Sequence, residues 1–144
     1  MRRTVLIVTL AAVALAALVA SGCSASGVKS AGKTDPLKLD TSANGSLVEL
    51  VEGQQLIVSL PGNPSTGYSW GIVALPSELA TVGGATFSSA SQATSPAVVG
   101  AGGTMSLTFR ATTAGAGDLK LEYRRPWETT AAPKATYGLS IEVQ

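Results

Sequence analysis

The side chains that could perform chemistry are few, and they are not arranged to perform it. The 144-residue chain has no histidine, and its only cysteine is Cys23. Its nine carboxylates are scattered over apparent strands and turns rather than gathered into a motif. A serine nucleophile would need a lysine base; Lys120 and Lys134 are the candidates in the folded part, and neither lies beside a serine motif. Without thiolate or imidazole clusters there is no metal-ligand pattern, and no cofactor motif is present. The residues therefore predict a protein that is not an enzyme. With ten basic and nine acidic side chains, it also lacks the positive footprint of a nucleic-acid binder.

What remains is recognition, and three stretches carry the residue types for it. The organising stretch is Asn63, Pro64, Ser65, Thr66, Gly67 and Tyr68, set between two strand-like runs. Pro64 fixes its own φ and biases Asn63 towards extended backbone, while Gly67 can take a positive φ. A short, stiff, protruding loop is expected, anchored by Tyr68 and Trp70; taken alone, the same residues also suit an ordinary strand connection.

The second stretch is Gly100, Ala101, Gly102 and Gly103, whose backbone can lie against another surface without Cβ clashes. It suits a flexible hairpin equally well. A phosphate cradle would need a following helix, and a strand follows instead. The third is Arg125, Pro126 and Trp127, at the end of the strand Leu119 to Tyr123. Proline ends the ladder there, and a tryptophan presented outward beside arginine has the composition of a binding hot spot. The alternative is a tryptophan folded back over the end of the fold.

The elements that must position these loops are strands. Leu56, Val58 and Leu60 alternate with Gln55, Ile57 and Ser59, and Tyr68, Trp70 and Ile72 alternate with Ser69 and Gly71. Met105, Leu107 and Phe109 form a third face, Leu119, Leu121 and Tyr123 a fourth, and Ala135, Tyr137, Leu139, Ile141 and Val143 a fifth. A period of two means one buried face per strand. Turn signals separate the runs, and no stretch has the period of an amphipathic helix, although Pro76 to Ala80 could make one short turn. About seven short strands predict an all-β, immunoglobulin-like antiparallel sandwich.

The amino terminus reads as an address. Arg2 and Arg3 precede an apolar run from Val5 to Val19, followed by small residues and Cys23. That run is short for a membrane span. Ser21-Gly22-Cys23 resembles a bacterial lipobox, which implies cleavage before a cysteine that carries lipid. The expected division is a lipoprotein signal peptide over 1–22, a lipidated Cys23 with a flexible tether over 23–40, and one folded domain over 41–144. The domain would be exported and lipid-anchored, facing the periplasm or cell surface. A stretched tether could lift it up to about 50 Å from a membrane. Nothing in the strands demands a dimer, so a monomer is expected.

Together, in this order and on these strands, Asn-Pro-Ser-Thr-Gly-Tyr, Gly-Ala-Gly-Gly and Arg-Pro-Trp resemble the signature of the chagasin family of cysteine peptidase inhibitors. The resemblance runs from about Ser46 to Gln144. It implies an immunoglobulin-like sandwich with three loops side by side at one end, and reversible, tight inhibition of papain-like cysteine peptidases. Carried over by motif, residues 63–68 would enter the cleft with Ser65 and Thr66 nearest its catalytic groups. Residues 100–103 and 125–127 would flank it, with Trp127 against an aromatic of the enzyme. Ser65 departs from the threonine more usual there, a change of one methyl and roughly 1 kcal/mol of packing at most. A ligand-binding or adhesion module on the same sandwich is the alternative that fold alone leaves open.

Overall fold

A computed structural model describes residues 35–90, 100 and 102–144. The proposed signal peptide, Cys23, most of the tether and Ala101 lie outside the described residues. Nine strands are present among those described: β1 (Leu37–Leu39), β2 (Leu47–Leu50), β3 (Gln55–Gly62), β4 (Ser69–Ala74), β5 (Leu79–Thr81), β6 (Thr86–Ser89), β7 (Gly103–Ala111), β8 (Gly115–Arg124) and β9 (Ala135–Val143). Single 3-10 turns at Thr41–Ala43 and Pro64–Thr66 are also present.

Alternation of side chains decides which face of each strand is buried. In one sheet, ordered β1-β3-β7-β5 with β6 also on β7, the pairs Leu56 with Phe109, Val58 with Leu107 and Leu60 with Met105 point inward. In the other, ordered β2-β9-β8-β4, Leu119 with Leu139 and Leu121 with Tyr137 meet them. The two sheets close on a single core. This is the expected all-β sandwich, and the residues between Leu75 and Leu79 make the turn expected there, closed by Leu79 N–H donating to Pro76 O at 3.0 Å.

Four details differ from the sequence reading. The count is nine strands rather than seven, because β1 and β5 have three residues each and β6 four, too few for a period to show. The sheets are mixed: β1 lies parallel to β3, and β2 parallel to β9. The folded domain starts before residue 41, since Leu39 is buried in the core. Gln54 helps to hold this segment, donating from Nε2 to Asp35 O at 3.0 Å while its Oε1 accepts from Val51 N–H. Finally, Ile72 and Ala135 are exposed rather than buried. β4 is an edge strand, so Ile72 faces inward where the opposite sheet no longer covers it, and it lines a cleft of about 270 Å³ with Trp70, Leu107 and Phe109.

Candidate functional site

Strand direction brings the three singled-out stretches to one end of the sandwich. The end of β3 meets the start of β7 as Gly62 opposite Gly103. The start of β4 meets the end of β8 as Ser69 opposite Arg124. Residues 63–68 therefore cross from one sheet to the other, Gly100, Gly102 and Gly103 lie beside them where β7 begins, and residues 125–127 leave β8 on the far side.

The central loop is closed by its own polar groups. Asn63 caps the Pro64–Thr66 turn, its Oδ1 accepting from Ser65 N–H at 3.2 Å and from Ser65 Oγ at 2.5 Å. Thr66 Oγ1 donates to Asn63 O at 2.6 Å, Thr66 N–H donates to the same oxygen, and Gly67 N–H reaches Pro64 O at 2.9 Å. The two hydroxyls are thus turned inward as donors, and only their acceptor capacity faces out. Gly67 sits at φ 78°, and a Cβ there would come within 2.6 Å of Trp127 Cη2. Left-handed backbone and close packing both require glycine at this position.

Each flank is tied to this loop. Asn63 Nδ2 donates to Gly100 O at 3.0 Å, and Asn63 N–H donates to the Tyr123 hydroxyl at 2.9 Å. Gly103 is needed for packing within the fold, because a Cβ there would strike Ser88 O and the Phe87 ring. On the other flank, Arg125 Nε donates to Thr66 O at 3.2 Å and Nη1 pairs with Glu128 Oε1 at 2.9 Å. The Glu128 hydrogen bond raises the Arg125 pKa further above its ordinary value. The Arg125 guanidinium lies 4.7 Å from the centre of the Tyr68 ring, which Lys134 Nζ also approaches at 5.2 Å. Tyr68, Tyr123 and Trp70 continue this contact into the sandwich, with ring centres 5.4 and 5.2 Å apart.

Trp127 packs on Gly67 yet remains 67% exposed, which places an aromatic of high contact value on the surface. Arg124 braces the segment behind it, pairing with Glu122 at 3.2 Å and donating to Ala131 O at 2.7 Å. Charge at this end is one-sided. No charged residue occurs between Glu52 and Glu78 or between Glu78 and Arg110, so the central and glycine loops are neutral. Glu122, Arg124, Arg125, Glu128 and Lys134 all belong to the third loop and its flanks.

Of the thirteen loop residues singled out from sequence, twelve are described and lie at this one end; Ala101 lies outside the described residues. Sequence reasoning missed Tyr123, Glu128 and Lys134. Glu128, one residue beyond the Arg-Pro-Trp run, was within reach of a charge-pair reading. The contacts of Tyr123 and Lys134 join positions about 60 residues apart, and no local pattern signals them.

Fold and site together define a β-sandwich recognition module that presents a pre-set loop platform and no reacting group. The chain belongs to the chagasin family of peptidase inhibitors, whose model, described as Chagasin family peptidase inhibitor I42, matches residues 49–141. It is similar to Amoebiasin-1 of Entamoeba histolytica, with 30% identity over 108 residues that cover 75% of this chain and all of that protein. Among solved structures it resembles the cysteine protease inhibitor EhICP2 from Entamoeba histolytica, with a TM-score of 0.67 and 20% identity over 78% of this chain and 99% of that one. It also resembles the solution structure of Amebosin, with a TM-score of 0.57 and 29% identity over 78% of this chain and 100% of that one. The protein is a peptidase inhibitor and not an enzyme.

Proposed function

We propose that the chain inhibits papain-like cysteine peptidases reversibly, by filling the active-site cleft with residues 63–68 and gripping its two sides with residues 100–103 and the 125–127 turn that carries Trp127. The observation that carries this is the network joining the three loops before any partner is present: Asn63 to Gly100, Arg125 to Thr66, and Trp127 on Gly67. A platform already ordered in the free protein loses little conformational entropy on docking. Its central wedge is uncharged, so entering a cleft strips water from no ion. The wedge also resists cleavage. Hydrogen bonds from Thr66 and Gly67 N–H hold residues 63–67 in a turn, and a turn does not align a peptide bond for attack as an extended substrate does.

The same reading includes export and anchoring. Cys23 would carry the lipid, with the preceding residues removed, and the domain would face outward from a bacterial membrane as a monomer. Asp35 lies by Gln54, at the end of the sandwich where β3 begins and opposite the end where it reaches Gly62. A chain anchored ahead of Asp35 would therefore present the three loops away from the membrane.

The test is titration of residues 24–144 against papain with a fluorogenic peptide. Stoichiometric loss of activity that recovers on dilution is expected. Trp127→Ala should weaken inhibition by about 2 to 4 kcal/mol, roughly 30- to 1000-fold, with thermal unfolding unchanged. Folded protein that leaves papain and its relatives active would point instead to a binding module on the same scaffold.

A further inference from the structure

We infer that Arg125 is a positioning residue of the inhibitor, which locks the tip of the 63–68 loop to the turn that carries Trp127, rather than a residue that reaches for the peptidase. This rests on the proposed mode of inhibition and adds how the platform keeps its shape. The hydrogen bonds internal to the central loop end on oxygens of Asn63 and Pro64, and the Thr66 carbonyl beyond them is taken by Arg125 Nε at 3.2 Å. Nη1 of the same guanidinium is committed to Glu128 at 2.9 Å, and Glu128 is itself turned back by its N–H donating to Arg125 O at 3.0 Å. The Cζ of the cation stands over the Tyr68 ring, 4.7 Å from its centre. Three contacts within the protein therefore engage the guanidinium.

Those three contacts tie together the two parts whose spacing matters most. Thr66 lies at the tip of the wedge, and Trp127 lies two residues beyond Arg125, with its ring on Gly67. Only a fork of fixed geometry can meet a carbonyl, a carboxylate and a ring at once. A lysine ammonium keeps the charge but lacks the plane and the second directed donor, so Arg125→Lys should not substitute for the native residue.

The experiment compares the full chain, as exported and extracted in mild detergent, with Arg125→Lys, Arg125→Ala and Glu128→Gln. Hydrogen exchange of the free proteins reads the Thr66 and Gly67 amides, and association and dissociation rates are measured with papain. Loosening the brace should speed exchange at these two amides about tenfold in both Arg125 variants. It should also lower the association rate about tenfold while leaving dissociation within about twofold, because fewer free molecules hold the competent shape. Glu128→Gln should move both readouts in the same direction by less. Unchanged exchange in the loop, or faster dissociation with association intact, would overturn the inference and make Arg125 a direct contact. Exchange is measured without a peptidase, so failure of the parent to inhibit papain would count against the proposed function and leave the brace to be judged separately.

Discussion

At the scale of single residues, the platform is a set of side chains spent on one another. Asn63 alone serves four neighbours: it caps Ser65, accepts from Thr66, donates to Gly100 and donates from its backbone to Tyr123. Gly67 has the narrowest tolerance, because two independent constraints meet there. Gly67→Ala would place a Cβ on left-handed backbone and push the Trp127 ring out of position. The strain should cost about 1 kcal/mol or more of stability. Inhibition should fall by about tenfold or more as Trp127 leaves its seat. Urea unfolding and the inhibition constant, measured on the same preparation, would check both; potency equal to the parent's would show that the contact with Trp127 is dispensable.

At the scale of elements, the short amino-terminal strand does more than its length suggests. Leu39 lies in the core, and the backbone carbonyl of Asp40 accepts a hydrogen bond from the Tyr137 hydroxyl at 3.0 Å. A chain beginning at residue 41 loses both, and burying one leucine is worth about 1.5 to 3 kcal/mol. Its urea midpoint should drop by at least that equivalent, whereas a chain beginning at residue 35 should match a longer one. Equal midpoints for all three would mean that β1 adds nothing to the sheet. At one edge of the other sheet, β4 carries a register shift between Ile72 and Ala74. Such an irregularity on an edge strand discourages pairing with a second chain.

At the scale of the whole molecule, the loops and the amino-terminal entry sit at opposite ends, and a core made almost wholly of aliphatic and aromatic side chains joins them. Tyr137 is its main titratable member. Burial, and then the nearby Asp40 charge, push its pKa up from 10.0 to about 12. The raised value means that the folded state holds the proton more tightly than the unfolded chain. The contribution is full below about pH 10 and is lost as pH rises from about 10 to about 12. Denaturant midpoints should fall across that interval, and Tyr137→Phe should flatten the fall. An identical pH profile for the two proteins would assign the loss to other groups.

The sequence by itself determined the class of fold and singled out the three loops that meet at one end of it. Alternation with period two is a local property that needs only one buried face, so the strands from Leu56, Met105, Leu119 and Tyr137 could be read directly. The loops could be read because proline, glycine and an exposed tryptophan interrupt that alternation with residues that core packing does not require. The parallel pairing of β1 with β3 and of β2 with β9 was not legible, since three or four residues carry too little pattern to name a partner. Nor was the exposure of Ile72, which depends on where the opposite sheet ends. Only the tertiary structure decided what the loop side chains do. It turned the Ser65 and Thr66 hydroxyls inward, gave Arg125 to Thr66 and Glu128, and set Lys134 and Tyr123 around Tyr68. Such contacts span up to 66 positions, from Tyr68 to Lys134, and they exist only once strand direction has brought both ends of the chain segment to the same end of the sandwich.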